Sequence, residues 1–254
     1  DIKVIILHIE GIKDGRRFIE VARRVAKKKP VLALKGGRSE QAARTVASHT
    51  GSLAGNDEIY KAVFKQCGII QVEEPDELED FIKAFLTLPP MKGKRIAVLS
   101  LWGFLCTMAI DACEKYDMEL AKLSPETLEK MRGLFPDWMP PKNPVDFWIA
   151  TVNRGYKEAY QLLLEALVED KNVDAIVCSI RPAAGVEFLD SEPIIKQFAT
   201  RFRDKPIVSI AYRPYATEHK AEVEKNGKFL VFSSPDRAIK TLSVMWRYNQ
   251  FLRR

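Results

Sequence analysis

The chain has few cysteines, few histidines and no long apolar run. Cys67, Cys106, Cys113 and Cys178 form no Cys-x-x-Cys pair and sit in apolar segments. That excludes a disulfide scaffold and reads them as small core hydrophobes in a reducing compartment. No apolar stretch approaches the roughly 18 residues of a membrane-spanning helix, and the first residues lack the basic-then-apolar plan of a secretion signal. No membrane association is expected, and the expected location is the cytoplasm. Charge of one sign is also scarce: 40 Lys plus Arg against 34 Asp plus Glu leave a formal +6. The basic clusters Arg23-Arg24, Lys27-Lys28-Lys29 and Arg253-Arg254 fall at the ends of expected helices, where cations complement the helix dipole. No aromatic stacking module accompanies them, so no nucleic-acid partner is expected. A mildly basic surface still suits a polyanionic ligand such as a nucleotide or coenzyme A.

What is present is a globular composition, 254 residues of which 46% are hydrophobic, enough for one large or two ordinary domains. Short apolar runs alternate with longer segments of helical period, the pattern of a parallel sheet covered by helices. Strands are expected at Val4 to His8, Val31 to Leu34 and Ile69 to Val72. Asp14, Asn56 and Asp76 open the helices between and after them. The stretch Pro89-Pro90-Met91-Lys92-Gly93-Lys94 breaks the pattern, and a boundary between domains 1–90 and 91–254 is placed there. The second part reads strand Ile96 to Ser100, helix Phe104 to Tyr116, strand Glu119 to Lys122 and a helix opened by Ser124-Pro125-Glu126. After a proline-rich loop come a helix from about Asn153 to Glu169, strand Asp174 to Ile180, a helix to Arg203 and strand Ile207 to Tyr212. A helix to Asn226, strand Phe229 to Phe232 and a helix capped by Ser234-Pro235-Asp236 follow. Prolines in both Ser-Pro starts suit the first helical position, where an N–H would have no partner. Five strands make a complete doubly wound domain. Three make a small sheet with an open edge, so the first unit is expected to be completed by upstream residues, another subunit or the neighbouring domain.

In open parallel sheets, ligands bind beyond the carboxyl ends of strands. Lys35-Gly36-Gly37-Arg38-Ser39 occupies such a position after the second strand. The segment Ser48-His49-Thr50-Gly51-Ser52-Leu53-Ala54-Gly55 then sets a histidine among hydroxyls and glycines, where backbone amides can approach an anion. Part of an imidazole population is uncharged and nucleophilic at neutral pH. From spacing alone this is a histidine presented on a glycine-rich loop, or a loop whose histidine is incidental and whose glycines serve the turn.

The two segments together resemble the phosphohistidine region of the NDP-forming acyl-CoA synthetases, the acetate–CoA ligase (ADP-forming) relatives of succinyl-CoA synthetase. Ile9-Glu10-Gly11-Ile12 is similar to the strand-end Glu-Gly of that family, and Asn143-Pro144-Val145-Asp146 to its Asn-Pro-Val-Asp motif. Asp111-Ala112-Cys113-Glu114 and the Glu119 to Ser124 segment are similar to its following helix and strand, so the resemblance covers almost the whole chain. It implies flavodoxin-like α/β domains with parallel sheets, one partial and one complete. It implies a reversible path through acyl phosphate and a phosphohistidine, with His49 as carrier, Glu10 bonded to the other ring nitrogen, and Ser48, Thr50 and Gly51 shaping the loop. CoA, ATP or ADP, and magnesium would be bound mainly outside this chain, by CoA-binding and ATP-grasp domains or subunits in an oligomer acting on a small carboxylic acid or its acyl-CoA. The isolated chain should then ligate nothing. His8 takes an aromatic slot of the family and reads as packing, and His219, between Glu218 and Lys220, as surface.

One departure stands out. The family's second domain opens its first helix with a run of Gly-Gly-Pro-Gly type that holds phosphate. Here the run is Ser100-Leu101-Trp102-Gly103-Phe104-Leu105-Cys106, in which only Gly103 survives as a phosphate-loop candidate. The large residues either remove half of a phosphate site or pack the helix and a domain interface. Arg213-Pro214-Tyr215 likewise replaces small residues after a later strand. These changes keep an alternative open, a diverged acyl-CoA-responsive scaffold or regulatory paralogue without catalysis. The scaffold portion of a protein acetyltransferase is a third reading, with no acetyltransferase domain in the sequence.

Overall fold

The computed structural model describes residues 2–39, 41–42, 56–180, 192–211, 224 and 230–254. The chain divides into two units, Asp1–Leu86 with Arg247–Arg254, and Thr87–Trp246.

The first unit holds a parallel sheet of three strands in the order β1 (Ile5–Ile9), β2 (Val31–Lys35), β3 (Ile70–Val72). Helix α1 (Gly15–Ala26) joins the first two strands, and its start is fixed by Asp14, whose carboxylate accepts from the Arg17 N–H at 3.0 Å. Helix α2 (Asp57–Cys67) is capped by Asn56, whose side-chain oxygen accepts from the Glu58 N–H at 2.8 Å, and α3 (Pro75–Thr87) follows β3. Ala22 and Ala26 of α1 and Phe64 and Cys67 of α2 pack with Val31 and Ala33 of β2. β1 lies at the sheet edge and pairs with β2; Ile6 and His8 are exposed along it while Ile9 is buried. The Tyr248 hydroxyl donates to the Ala26 carbonyl at 2.9 Å, and the Tyr248 ring meets Phe85 edge-on at 5.3 Å, so residues from the far end of the sequence belong to this core.

The second unit is built on β4 (Arg95–Ser100), β5 (Glu119–Leu120), β6 (Val145–Asp146), β7 (Ala175–Ile180), β8 (Ile207–Ala211) and β9 (Leu230–Phe232), all parallel. The order is β5-β4-β7-β8-β9, with β6 also paired to β4. β5 takes the lower half of one edge of β4, at Arg95 and Ile96, and β6 takes the upper half, at Leu99 and Ser100. Asn143 fills the gap between them: its amide nitrogen donates to the Ile96 and Ala121 carbonyls and its oxygen accepts from the Val98 N–H. β7 and β8 are buried at every residue, as central parallel strands covered on both faces must be. The helices of this unit are α4 (Gly103–Lys115), α5 (Pro125–Arg132), α6 (Trp148–Arg154), α7 (Tyr156–Glu169), α8 (Glu192–Arg201) and the part of α9 (Pro235–Leu252) that precedes Arg247. Tyr156, Ala159, Tyr160, Leu163, Leu164 and Leu167 form one apolar stripe of α7 at helical spacing and pack on Ala97, Leu99, Ile176 and Cys178.

The strands expected from periodicity appear within one or two residues of their expected limits. The helix expected from about Asn153 to Glu169 starts at Tyr156 as α7, because Gly155 at φ +76, outside the range a helix allows, separates it from α6, which was not expected. β6 was not expected: two residues after a proline-rich loop carry no alternation. The expected helix to Asn226 lies largely outside the described residues.

Candidate functional site

The carboxyl ends of β1 and β2 lie side by side, with Ile9 opposite Lys35 and the Gly36 N–H donating to the Ile9 carbonyl at 2.9 Å. This register brings the two sequence-marked turns, Glu10-Gly11-Ile12 and Lys35-Gly36-Gly37, to one place. An ideal β-carbon on Gly36 would stand 3.9 Å from Glu10 Cγ and 4.0 Å from His8 Nε2, so both side chains flank this turn. Arg38 and Ser39 are exposed just beyond it. Ser48, His49, Thr50 and Gly51 lie outside the described residues, as do His219 and Arg213 to Tyr215.

Where the chain is described again, α2 starts against the same strand ends. The Tyr60 hydroxyl accepts from the Ile12 N–H at 3.0 Å, tying α2 to the turn after Glu10. Lys35 is 3% exposed although its residue type is almost never buried without partners. Its ammonium donates to the Gly36 carbonyl and stands 4.8 Å from the centre of the Tyr60 ring, a cation–π geometry. Burial lowers the pKa of Lys35, and the negative charges of Asp57 and then Glu10 oppose that shift. Asp57 Oδ2 pairs with Lys61 at 3.0 Å, while its Oδ1 is buried without a hydrogen-bond partner. The strand ends therefore hold a buried cation beside an aromatic ring, within electrostatic reach of two carboxylates. Sequence reasoning marked Glu10 and the Lys35 to Ser39 turn but gave Lys35 no role of its own, and it did not single out the Asp57 and Tyr60 side chains; nothing in the turn's sequence shows that the lysine is buried.

In the second unit, the switch in strand order falls at β4, and the loop after it holds the second predicted position. The Ser100 hydroxyl donates to the Trp102 carbonyl at 3.0 Å and accepts from the Trp102 N–H at 3.1 Å, and Ser179 Oγ accepts from the Leu101 N–H. Trp102 caps α4 without a side-chain hydrogen bond, and Gly103 is its first residue. A β-carbon on Gly103 would stand 2.8 Å from Asp146 Oδ2, so a carboxylate of the protein already occupies the space at this helix start. Asp146 Oδ1 is buried without a partner. Burial raises the Asp146 pKa against a lowering contact from the Trp148 backbone. The Cys106 thiol is pushed up to about 12, first by burial and then by the Asp146 charge, with Ser100 opposing. It is therefore a protonated, inert core residue at neutral pH. All four cysteines are free and buried.

Known proteins fit this arrangement. Residues 1–85 match the family described as succinyl-CoA ligase like flavodoxin domain. Over 229 residues, 89% of this chain and 49% of the relative, the sequence is 41% identical to the alpha subunit of ADP-forming acetate–CoA ligase II of Pyrococcus furiosus. Over most of its own length the chain is similar to alpha subunits of ADP-forming acetate–CoA ligases. With the alpha subunit of ligase I from the same organism it shares 33% identity over 98% of its length and 53% of the relative. The solved dinucleotide-forming acetyl-coenzyme A synthetase 1 of Candidatus Korarchaeum cryptofilum, in complex with phosphate and ADP, superposes with a TM-score of 0.84 at 27% identity. That superposition covers 99% of this chain and 54% of the other. Homology therefore extends across both units, and the chain spans about half the length of these relatives. The flavodoxin-like α/β class expected from the sequence is the observed one.

Proposed function

We propose that the chain is the histidine-bearing part of an NDP-forming acyl-CoA synthetase, which interconverts acyl-CoA, ADP and phosphate with a carboxylic acid, CoA and ATP in the cytoplasm. A phosphate oxygen adds to the thioester carbonyl, and the CoA thiolate leaves and is protonated, giving acyl phosphate. A ring nitrogen of His49 then attacks phosphorus, the bond from phosphorus to the acyl oxygen breaks, and the carboxylate departs. Transfer from nitrogen to the terminal oxygen of ADP restores the imidazole and gives ATP. Glu10 accepts a hydrogen bond from the second ring nitrogen, which fixes the tautomer and stabilises the charged phosphohistidine. Ser48, Thr50 and Gly51 shape the loop that carries the ring. Magnesium would accompany the nucleotide and neutralise its phosphates. We assign the nucleotide and CoA to partner domains or subunits, and the working enzyme to an oligomer with them.

The observation that carries this reading is the 41% identity to an ADP-forming ligase alpha subunit across 89% of the chain. A supporting observation is that Glu10 lies near Gly36, in the turn that precedes the histidine segment in sequence. The test is incubation of the chain with its partner subunit, labelled ATP and magnesium. The expected product is protein-bound label that is lost in acid, stable in base and absent from His49→Asn. Label that persists in His49→Asn removes His49 as carrier. Binding of acyl-CoA with no label and no turnover supports the scaffold reading instead, for which the carboxylate filling the start of α4 is the favouring observation.

A further inference from the structure

Lys35 is the least expected residue at the strand ends. A lysine buried to 3% exposure forfeits hydration and has to be compensated by nearby groups. A lysine whose only task was to fill space would be replaced by a leucine without loss. Here each element around it presents a group that acts on a positive charge. Glu10 follows β1, and both it and His8 lie near Gly36. The turn after β2 offers the Gly36 carbonyl, and α2 offers the Tyr60 ring face and the Asp57 carboxylate, itself shared with Lys61. Asp57 exerts the larger pull on the ammonium and Glu10 the smaller.

We propose that Lys35 is a positioning residue of the phosphoryl-transfer site, whose buried positive charge fixes the Glu10 carboxylate and the Asp57 start of α2 around the strand ends. This rests on the phosphohistidine reading, because Glu10 is the group through which Lys35 acts. Of the residues that flank this segment in sequence, Gly36 accepts from the ammonium and the Tyr60 ring lies 4.8 Å from it. When the ammonium loses its proton, that support is lost, and phosphoryl transfer should fall on the alkaline side. Because burial lowers the pKa of Lys35, the fall should come below the ordinary lysine range.

The experiment uses the chain with its partner subunit and follows formation of acid-labile label from ATP between about pH 6 and 10, a window reaching the ordinary lysine pKa. Wild type should lose rate on the alkaline side. Lys35→Arg, which stays charged, should keep neutral-pH activity within a few fold and lose the alkaline fall. Lys35→Met should lose about tenfold or more at neutral pH, the order expected when a charge near a carboxylate in a low-dielectric site is removed, with the KM for ATP unchanged. Should Lys35→Met fail to fold, titration of the Lys35 side chain by NMR supplies the second measurement: Asp57→Asn should lower its midpoint more than Glu10→Gln does. An alkaline fall identical in wild type and Lys35→Arg overturns the inference, as does a Lys35 midpoint indifferent to both carboxylates. If wild type carries no acid-labile label, the functional reading fails first and this inference falls with it. If wild type is labelled, His49→Asn is not, and Lys35→Arg keeps the alkaline fall, the Lys35 inference alone fails.

Discussion

At the scale of single residues, the start of α4 is where chemistry and packing compete. Gly103 is the one small residue retained in a run otherwise filled by Leu101, Trp102, Phe104 and Leu105, and it has a steric task of its own. Its hydrogen leaves room for Asp146 Oδ2, which a β-carbon would meet at 2.8 Å. The Asp146 carboxylate is held by the Trp148 backbone and has one oxygen buried without a partner, so it cannot simply turn away. Gly103→Ala should therefore cost about 1 kcal/mol in a urea unfolding titration, at the low end for overpacking because the clashing atom ends a side chain. In an Asp146→Ala background the same change should be neutral or stabilising, since alanine is the better helix former. Equal costs in both backgrounds would mean that Asp146 is not what Gly103 accommodates. Sequence reasoning marked Gly103 as a remnant of a phosphate loop, because glycine before a helix reads the same whether the space beside it takes an anion from solution or a carboxylate from the chain.

At the scale of elements, the parallel sheet of the second unit is pinned at its amino end by one ion pair. Arg95 Nε donates to Asp174 Oδ2 at 2.8 Å, Arg95 Nη2 to Asp174 Oδ1 at 2.9 Å, and the Arg95 N–H to Asp174 Oδ2 at 3.0 Å, joining the first residue of β4 to the residue before β7. Burial alone would raise the Asp174 pKa, but these bonds outweigh it and hold the carboxyl below its usual value. A carboxyl lowered in the folded state stabilises fully above its unfolded value, near about 4. That stability is lost as pH falls through the lower folded value. Asp174→Asn should cost about 2 kcal/mol at neutral pH, the order for hydrogen bonds to a charged group. The gap from wild type should close as both are taken into acid; a gap that is constant with pH would remove the ion pair as its cause. Elements of this kind were legible where apolar runs and caps agreed, as at Ser124-Pro125, whose serine oxygen accepts from the Thr127 N–H at 3.2 Å. Legibility failed at Gly155 and at β6. A left-handed glycine between two helical periods is invisible to periodicity, and a two-residue strand is set by Asn143 bonding across the sheet rather than by its own composition.

At the scale of the whole molecule, motifs made the family resemblance readable and periodicity alone did not. Alternation of strands and helices yielded the fold class, whereas the functional reading came from motif likeness in segments that composition cannot rank. Lys35 was marked only as the start of a glycine-rich turn, because its burial depends on Tyr60 and the neighbouring strand end, which the local sequence does not show. The division into units holds a further feature, since Arg247–Arg254 belong with Asp1–Leu86. Tyr248 bonds Ala26, meets Phe85 edge-on and stacks near Phe251, and Burial pushes its hydroxyl pKa up to about 12. Tyr248→Phe should cost about 1 kcal/mol, the usual net worth of one such bond. Deleting 247–254 should lower the unfolding midpoint of the first unit well beyond that. Unchanged unfolding after the deletion would show that those residues contribute nothing to its core.

The placement of Tyr248 also governs the order of events on the ribosome. All of the second unit is translated between Leu86 and Arg247, which at ordinary elongation rates takes on the order of ten seconds. Throughout that interval the nascent first unit lacks the Tyr248 ring that bonds Ala26 and meets Phe85, whereas the second unit has its full sequence as soon as Trp246 is added.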